Sequence, residues 1–202
     1  MKKFLKAAAV TLTALLLAVT INAGVAYAHG YTTDPVSRAE WCARGMAGDC
    51  GGVQFEPQSV EGPKGFPGNV SALPDGSICN ANLPNWQQLN APAAPNGEHW
   101  PVTTVHADTP FTFTWILTAP HPTASFRYFI TQEDWNPERP LTRADLVLEP
   151  FLTVPFGGAV PPPAVTNVGT LPDRSGRALI LSVWEIAGTD NAYYQCADVF
   201  FI

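Results

Sequence analysis

Hydrophobic and polar positions follow two regimes along the chain, and the boundary lies near residue 100. Beyond it, Phe111, Phe113 and Trp115 alternate with Thr112 and Thr114 before Ile116 and Leu117. A period of two sends successive side chains to opposite faces, so 111–117 is predicted as a half-buried strand. Segments 125–130, 146–151, 178–186 and 193–200 are predicted as four more. Pro and Gly clusters separate them, notably across 155–163. Short strands punctuated by turns predict an all-β fold, a β-sandwich.

From residue 29 to about 96 the periodicity is lost. Pro57, Gly62, Pro63, Gly65, Pro67, Gly68, Pro74 and Gly76 crowd one stretch, which reads as loops and turns. Short helices are predicted only around 37–44 and 85–89. So long an irregular segment inside a compact domain is usually functional.

The chain opens differently. Met1, Lys2, Lys3 and Lys6 precede an apolar run over 7–19, and Ala26-Tyr27-Ala28 follows. A basic head, an apolar core and an A-x-A exit predict a secretory signal over 1–28. The run is too short and wrongly flanked for a membrane span; a retained anchor is the alternative. Cleavage would leave a single domain over 29–202, secreted to the extracellular space, with His29 first.

The full chain of 202 residues carries 11 Lys+Arg against 17 Asp+Glu, a net charge of −6. Losing Lys2, Lys3 and Lys6 would make it more acidic. Such a surface repels phosphate backbones and anionic lipid, so neither nucleic acid nor membrane is expected as partner. An uncharged polymer such as polysaccharide fits better. Four cysteines in an exported chain point to two disulfides, with three pairings open. Cys42 and Cys50 flank Gly45 and Gly48 and read as a local loop, which leaves Cys79 for Cys196. A cysteine metal site is the rival reading, but no C-x-x-C spacing supports it.

Candidate chemistry centres on the histidines: His29, His99, His106 and His121. Neither a G-x-S-x-G elbow nor an H-E-x-x-H pair is present. Glu56 and Glu61 are only candidates for a glycosidase pair, since nothing marks their separation. An N-terminal His29 would offer its ring and an α-amine of pKa about 8, whose proton a metal displaces readily. A second histidine would complete a nitrogen-only set, which suits Cu(II). The plain alternative is that cleavage merely falls at a histidine. His121, in the turn after the strand at 111–117, is the candidate second ligand. His99 and His106 read as ordinary surface or packing residues.

Several segments together resemble one family. They are His29-Gly30-Tyr31 with Pro35-Val36-Ser37-Arg38, the run from Val53 to Gly62, and Leu117-Thr118-Ala119-Pro120-His121. Phe126-Arg127-Tyr128-Phe129-Ile130-Thr131, Pro140-Leu141-Thr142-Arg143, Asp173-Arg174-Ser175-Gly176 and Asn191-Ala192-Tyr193-Tyr194-Gln195 follow in order. The chain from His29 onward resembles the bacterial lytic polysaccharide monooxygenases, auxiliary activity family ten.

The resemblance implies a fibronectin- or immunoglobulin-like sandwich, with a long loop after the first strand shaping a flat binding face. It implies one copper ion held by His29 and His121 in a histidine brace. Ala119 would crowd one axial side and Tyr193, where the family usually has Phe, would shield the other. The Tyr193 hydroxyl could approach copper or take part in redox chemistry. Glu61 would be the acid beside the open copper face, able to position peroxide or water and move a proton. Phe55 would stack on sugar rings, with Glu56, Gln58, Glu61 and Thr118 on the same face. Gly188 stands where some chitin-active members carry an acid, and Leu152 and Asn167 stand where many members have a further disulfide.

The expected activity is copper-dependent oxidative cleavage of β-1,4 bonds in crystalline chitin, at C1, by a monomer. An external electron donor would drive it, with O2 or H2O2 as co-substrate. Cellulose is the alternative substrate. A non-catalytic chitin-binding protein and a copper carrier are the rival classes.

Overall fold

The computed structural model describes residues 28–202. The predicted signal lies outside the described residues, apart from Ala28. Nine strands form two sheets. Strands β1 (His29–Asp34), β4 (Pro110–Ala119) and β7 (Ala164–Thr170) make the smaller one, in the order β1-β4-β7. In the larger sheet, β2 (Glu61–Pro63), β9 (Asn191–Phe201), β8 (Gly176–Ile186), β5 (Thr123–Thr131) and β6 (Leu146–Pro155) lie side by side in that order. Strand β3 (Thr103–Val105) runs parallel to β9 at its far end. This is the predicted sandwich, and all five predicted strands are present.

The alternation read in the sequence becomes the division between two cores. Phe113, Trp115 and Leu117 of β4 meet Phe126, Tyr128 and Ile130 of β5 and Trp184 of β8 between the sheets. The Tyr128 hydroxyl oxygen accepts there from Trp115 Nε1 (3.1 Å) and Asn167 Nδ2 (2.7 Å). The outer face of the larger sheet, with Phe129, Leu179, Leu181, Val183 and Tyr194, is covered by Val53, Val60, Phe66, Leu73, Ile78 and Leu89 of the long loop region. Strands β8 and β9 are therefore buried on both faces. That explains why their sequences read as apolar runs rather than alternations.

Polar ties hold the loop region onto that sheet. It contains one α-helix, α1 (Arg38–Ala43), capped by Ser37, and a 3-10 turn at Pro84–Asn90, close to the two predicted helices. The disulfides are Cys42–Cys50 and Cys79–Cys196, and there is no free cysteine. Arg143 donates to the carbonyls of Pro67 and Leu73 and pairs with Asp75 at 2.7 Å. Arg38 donates to the carbonyls of Leu89 and Ala91 and pairs with buried Asp198 at 2.7 Å. Backbone carbonyls that a loop would otherwise leave without partners are thus satisfied by guanidinium forks. Among the described residues no helix is long and apolar enough to cross a membrane.

Candidate metal centre and binding face

The site forms where the smaller sheet ends. In the antiparallel pairing of β1 with β4, His29 lies opposite Ala119, with an irregularity in register just after His29. Two residues beyond Ala119, in the turn leading to β5, is His121. A glycine makes this seating feasible: a Cβ on Gly30 would come within 2.6 Å of Leu117 Cδ2 and 3.0 Å of the Trp184 ring. The turn is fixed from beneath. Thr123 Oγ1 donates to the His121 carbonyl (2.9 Å) and accepts from Trp184 Nε1 (2.8 Å).

His121 Nδ1 is buried and has no hydrogen-bond partner. A buried ring nitrogen with nothing to bind is costly unless a ligand completes it. Among the described residues no three His, Cys, Asp or Glu side chains gather into a metal-binding group. A brace needs only two side chains, because its third nitrogen is a terminal amine. In the described chain that nitrogen is still an amide, joined to Ala28, which is itself buried. The residues present fit copper on two counts: an unpaired imidazole nitrogen, and a nitrogen-only donor set once His29 is terminal.

Tyr193 closes one side. Its ring is fully buried, packs on Trp184 at 5.1 Å between centroids, and meets the His29 ring edge-on at 6.4 Å. Its hydroxyl lies 2.9 Å from Glu61 Oε2 and also reaches the Ala28 carbonyl. Burial, with the adjoining Glu61 carboxylate, pushes Tyr193 ionisation well above the usual range, so the phenol stays protonated. Its hydroxyl is shared between Glu61 and the Ala28 carbonyl.

Glu61 is held at both oxygens. It sits on β2 opposite Tyr193 of β9, and its Oε1 accepts from the side-chain amide of Asn191. Residues 191 and 193 share one face of β9, so a single strand supplies both donors. Asn191 belongs to a resembling segment but carries no predicted site role. The period of two, applied to Asn191-Ala192-Tyr193, is the signal that could have found it.

The binding-face residues are placed unevenly. Phe55 is 78 % exposed at the end of the 3-10 turn Gly51–Gln54. Glu56 and Thr118 are exposed, while Gln58 is half-buried in the next turn, Pro57–Ser59, which packs on β1. His106 is exposed, and exposed His99 stands 4.0 Å from Glu138. Neither joins the site.

A two-sheet sandwich with His29 opposite Ala119, two residues short of His121, under a loop-built face, points to a class of copper-dependent polysaccharide oxidoreductases. The chain belongs to the lytic polysaccharide monooxygenases of auxiliary activity family ten. A sequence model of that family, described as "Lytic polysaccharide mono-oxygenase, cellulose-degrading", matches residues 29–199. A family-ten lytic polysaccharide monooxygenase from Streptomyces lividans superposes with a TM-score of 0.83 at 49 % identity, over 86 % of this chain and 100 % of that one. A family-ten monooxygenase of Mycosarcoma maydis is 42 % identical over 86 % of this chain and 52 % of its own length. GlcNAc-binding protein A of Shewanella oneidensis is 39 % identical over 100 % of this chain and 41 % of its own. The chain thus spans about half the length, or less, of these curated relatives. Members of the family are copper-dependent oxidoreductases.

Proposed function

We propose that residues 29–202 form the catalytic domain of a secreted copper monooxygenase that oxidises β-1,4-linked chains in crystalline chitin, at C1. The observation that carries the reading is the buried, unpartnered Nδ1 of His121 beside the start of β1 at His29. Removal of 1–28 would free the His29 amine and withdraw the Ala28 carbonyl from the Tyr193 hydroxyl. His29, through amine and ring, and His121 would hold the metal. Copper bound there supplies one-electron reduction by an external donor and activation of O2 or H2O2.

The remaining steps belong to the chain. Tyr193 and Ala119 would flank a bound metal and leave it accessible from the side where Glu61 stands. With Ala28 gone, Tyr193 donates only to Glu61 Oε2, and Asn191 donates to Oε1. A carboxylate fixed at both oxygens cannot wander from the face, so it can orient a co-substrate and accept or return its proton. Phe55 offers an apolar ring to pack on a pyranose, with Glu56, Gln58 and Thr118 as hydrogen-bonding neighbours. An exposed aromatic on a loop suits a crystal surface, which cannot enter a cleft.

Chitin is favoured by the 59–67 stretch, which looks like chitin-active relatives, and by the relatives called GlcNAc-binding protein A. Cellulose is the second reading, favoured by the family description. The deciding test incubates processed, copper-loaded protein with β-chitin and with cellulose, plus ascorbate. Mass spectrometry is expected to find aldonic-acid oligosaccharides from chitin. Such products from cellulose alone reverse the substrate assignment, and products from neither polymer end the enzyme reading. An N-terminus other than His29 removes the brace.

A further inference from the structure

Behind Glu61 the surface is not flat. A groove of about 860 Å³ opens between two walls. One wall is β2 with the β8–β9 turn, carrying Glu61, Asn191 and Asp190. The other is the segment Leu83 to Trp86, at the start of the 3-10 turn. His29, His121, Tyr193 and Phe55 do not line it, whereas Glu61 and Asn191 border both the groove and the candidate metal centre.

The far wall is built to stay in place. Ala81 (φ 55°) and Asn82 (φ 61°) reverse the chain in the left-handed region, which non-glycine residues rarely adopt. Cys79 ties the approach to β9 through Cys196. Gly62 lets β2 lie against this turn, since a Cβ there would come within 2.7 Å of the Ala81 carbonyl oxygen. Trp86 is half-buried at the wall, its indole nitrogen turned toward Gly52.

Chemistry selects the occupant. Trp86 and Leu83 give an apolar side on which a pyranose face can pack. Glu56, Glu61 and Asp190 give three carboxylates, none in an ion pair among the described residues, and no Lys or Arg lines the groove. A cleft lined by one sign of charge focuses its potential and concentrates ligands of the opposite sign. Uronic-acid chains are repelled; neutral sugars are tolerated; sugars bearing a free amine are drawn in. Volume agrees, since small-molecule sites run to roughly 300–1,000 Å³.

We propose that this groove is a second binding site, for a single strand of β-1,4-linked amino sugar carrying free amines, seated on Trp86 with its ammonium and hydroxyl groups on Glu56, Glu61 and Asp190. It meets the proposed binding face at Glu56 and Glu61, so a loosened, partly de-N-acetylated strand leaving the crystal surface would enter it past Glu61. This rests on the polysaccharide-active reading.

The test uses the processed protein without reductant, so that no turnover occurs. Glucosamine hexaose, N-acetylglucosamine hexaose and an oligogalacturonate are titrated by calorimetry, and adsorption to crystalline β-chitin is measured in parallel. Glucosamine hexaose is expected to bind most tightly and to weaken with salt. Trp86→Ala should weaken it by about tenfold, the scale of one lost aromatic packing partner. Asp190→Lys, an exposed change that does not touch the core, should weaken it at least as much. Neither should alter adsorption to the crystal, whereas Phe55→Ala should do the reverse. Unchanged affinity in Asp190→Lys, or an oligogalacturonate that competes, overturns the proposal. Because binding is read without catalysis, a protein that yields no oxidised products could still bind the amine strand, and an active enzyme could fail to.

Discussion

Opening the two disulfides one at a time separates chain entropy from local packing. All four cysteines are 2 % exposed or less, so replacing either pair by serines buries equivalent hydroxyls and that cost nearly cancels. What differs is the loop each bridge closes: 8 residues for Cys42–Cys50 and 117 for Cys79–Cys196. Loop-closure entropy grows with the logarithm of length, which gives about 2.5 kcal/mol for the short loop and about 5 kcal/mol for the long one. For a domain of this size each kcal/mol shifts the melting temperature by roughly 2–4 °C. Cys79→Ser with Cys196→Ser should therefore lower it by about 10–20 °C, against about 5–10 °C for the other pair. Thermal unfolding of the copper-free proteins is the assay, because bound metal would add its own linkage. If the Cys42–Cys50 pair costs as much as the Cys79–Cys196 pair, loop length is not what decides.

Three further outcomes test separate parts of the molecule. Asp198 is 1 % exposed and pairs with both Arg38 (2.7 Å) and Arg177 (2.9 Å), so Asp198→Ala leaves a buried guanidinium uncompensated; a loss of about 3–5 kcal/mol is expected in urea unfolding. Tyr193→Phe keeps the ring on Trp184 but frees Glu61 Oε2; since the family usually has Phe here, turnover should fall by no more than about tenfold while circular dichroism stays unchanged. Burial raises the Asp34 pKa, so the folded state holds that proton more tightly than the unfolded chain. Its destabilising effect is absent below the unfolded value near 3.8 and complete once pH has risen past the folded one. Asp34→Asn should accordingly raise stability at about pH 7 and leave it unchanged at about pH 3, as read by melting curves at the two pH values.

Legibility from sequence followed the source of each element's order. Strand β4 announces itself because Phe113 and Trp115 face the core while Thr112 and Thr114 do not. Strands β8 and β9 announce themselves as runs, being covered on both sides. Strand β2 left no trace: Glu61-Gly62-Pro63 has no strand-forming pattern and is extended only because β9 pairs with it. Strand β7 has no apolar alternation to read: its buried positions are Val165 and Asn167, and the Asn is buried only because Tyr128 accepts from it. The proposed brace residues and Glu61 rest on the family resemblance rather than on any periodic pattern. The groove was not, since its far wall depends on a left-handed turn at Ala81 and on a disulfide partner on β9.

Strand β9 links these features. One face of its first three residues holds Glu61 through Asn191 and Tyr193; the next residue, Tyr194, donates to the Pro63 carbonyl and so fixes the end of β2. Cys196 pins the turn that walls the groove, and Asp198 gathers the two arginines, of which Arg38 secures the carbonyls of Leu89 and Ala91. Alternate residues of β9 face opposite sides of the sheet, so the strand that sets Tyr193 beside His29 within the sandwich also anchors the loop region outside it. A shift of β9 by one residue would exchange the two faces and lose both functions together. Its burial on both sides and its pairing with three other strands oppose such a shift.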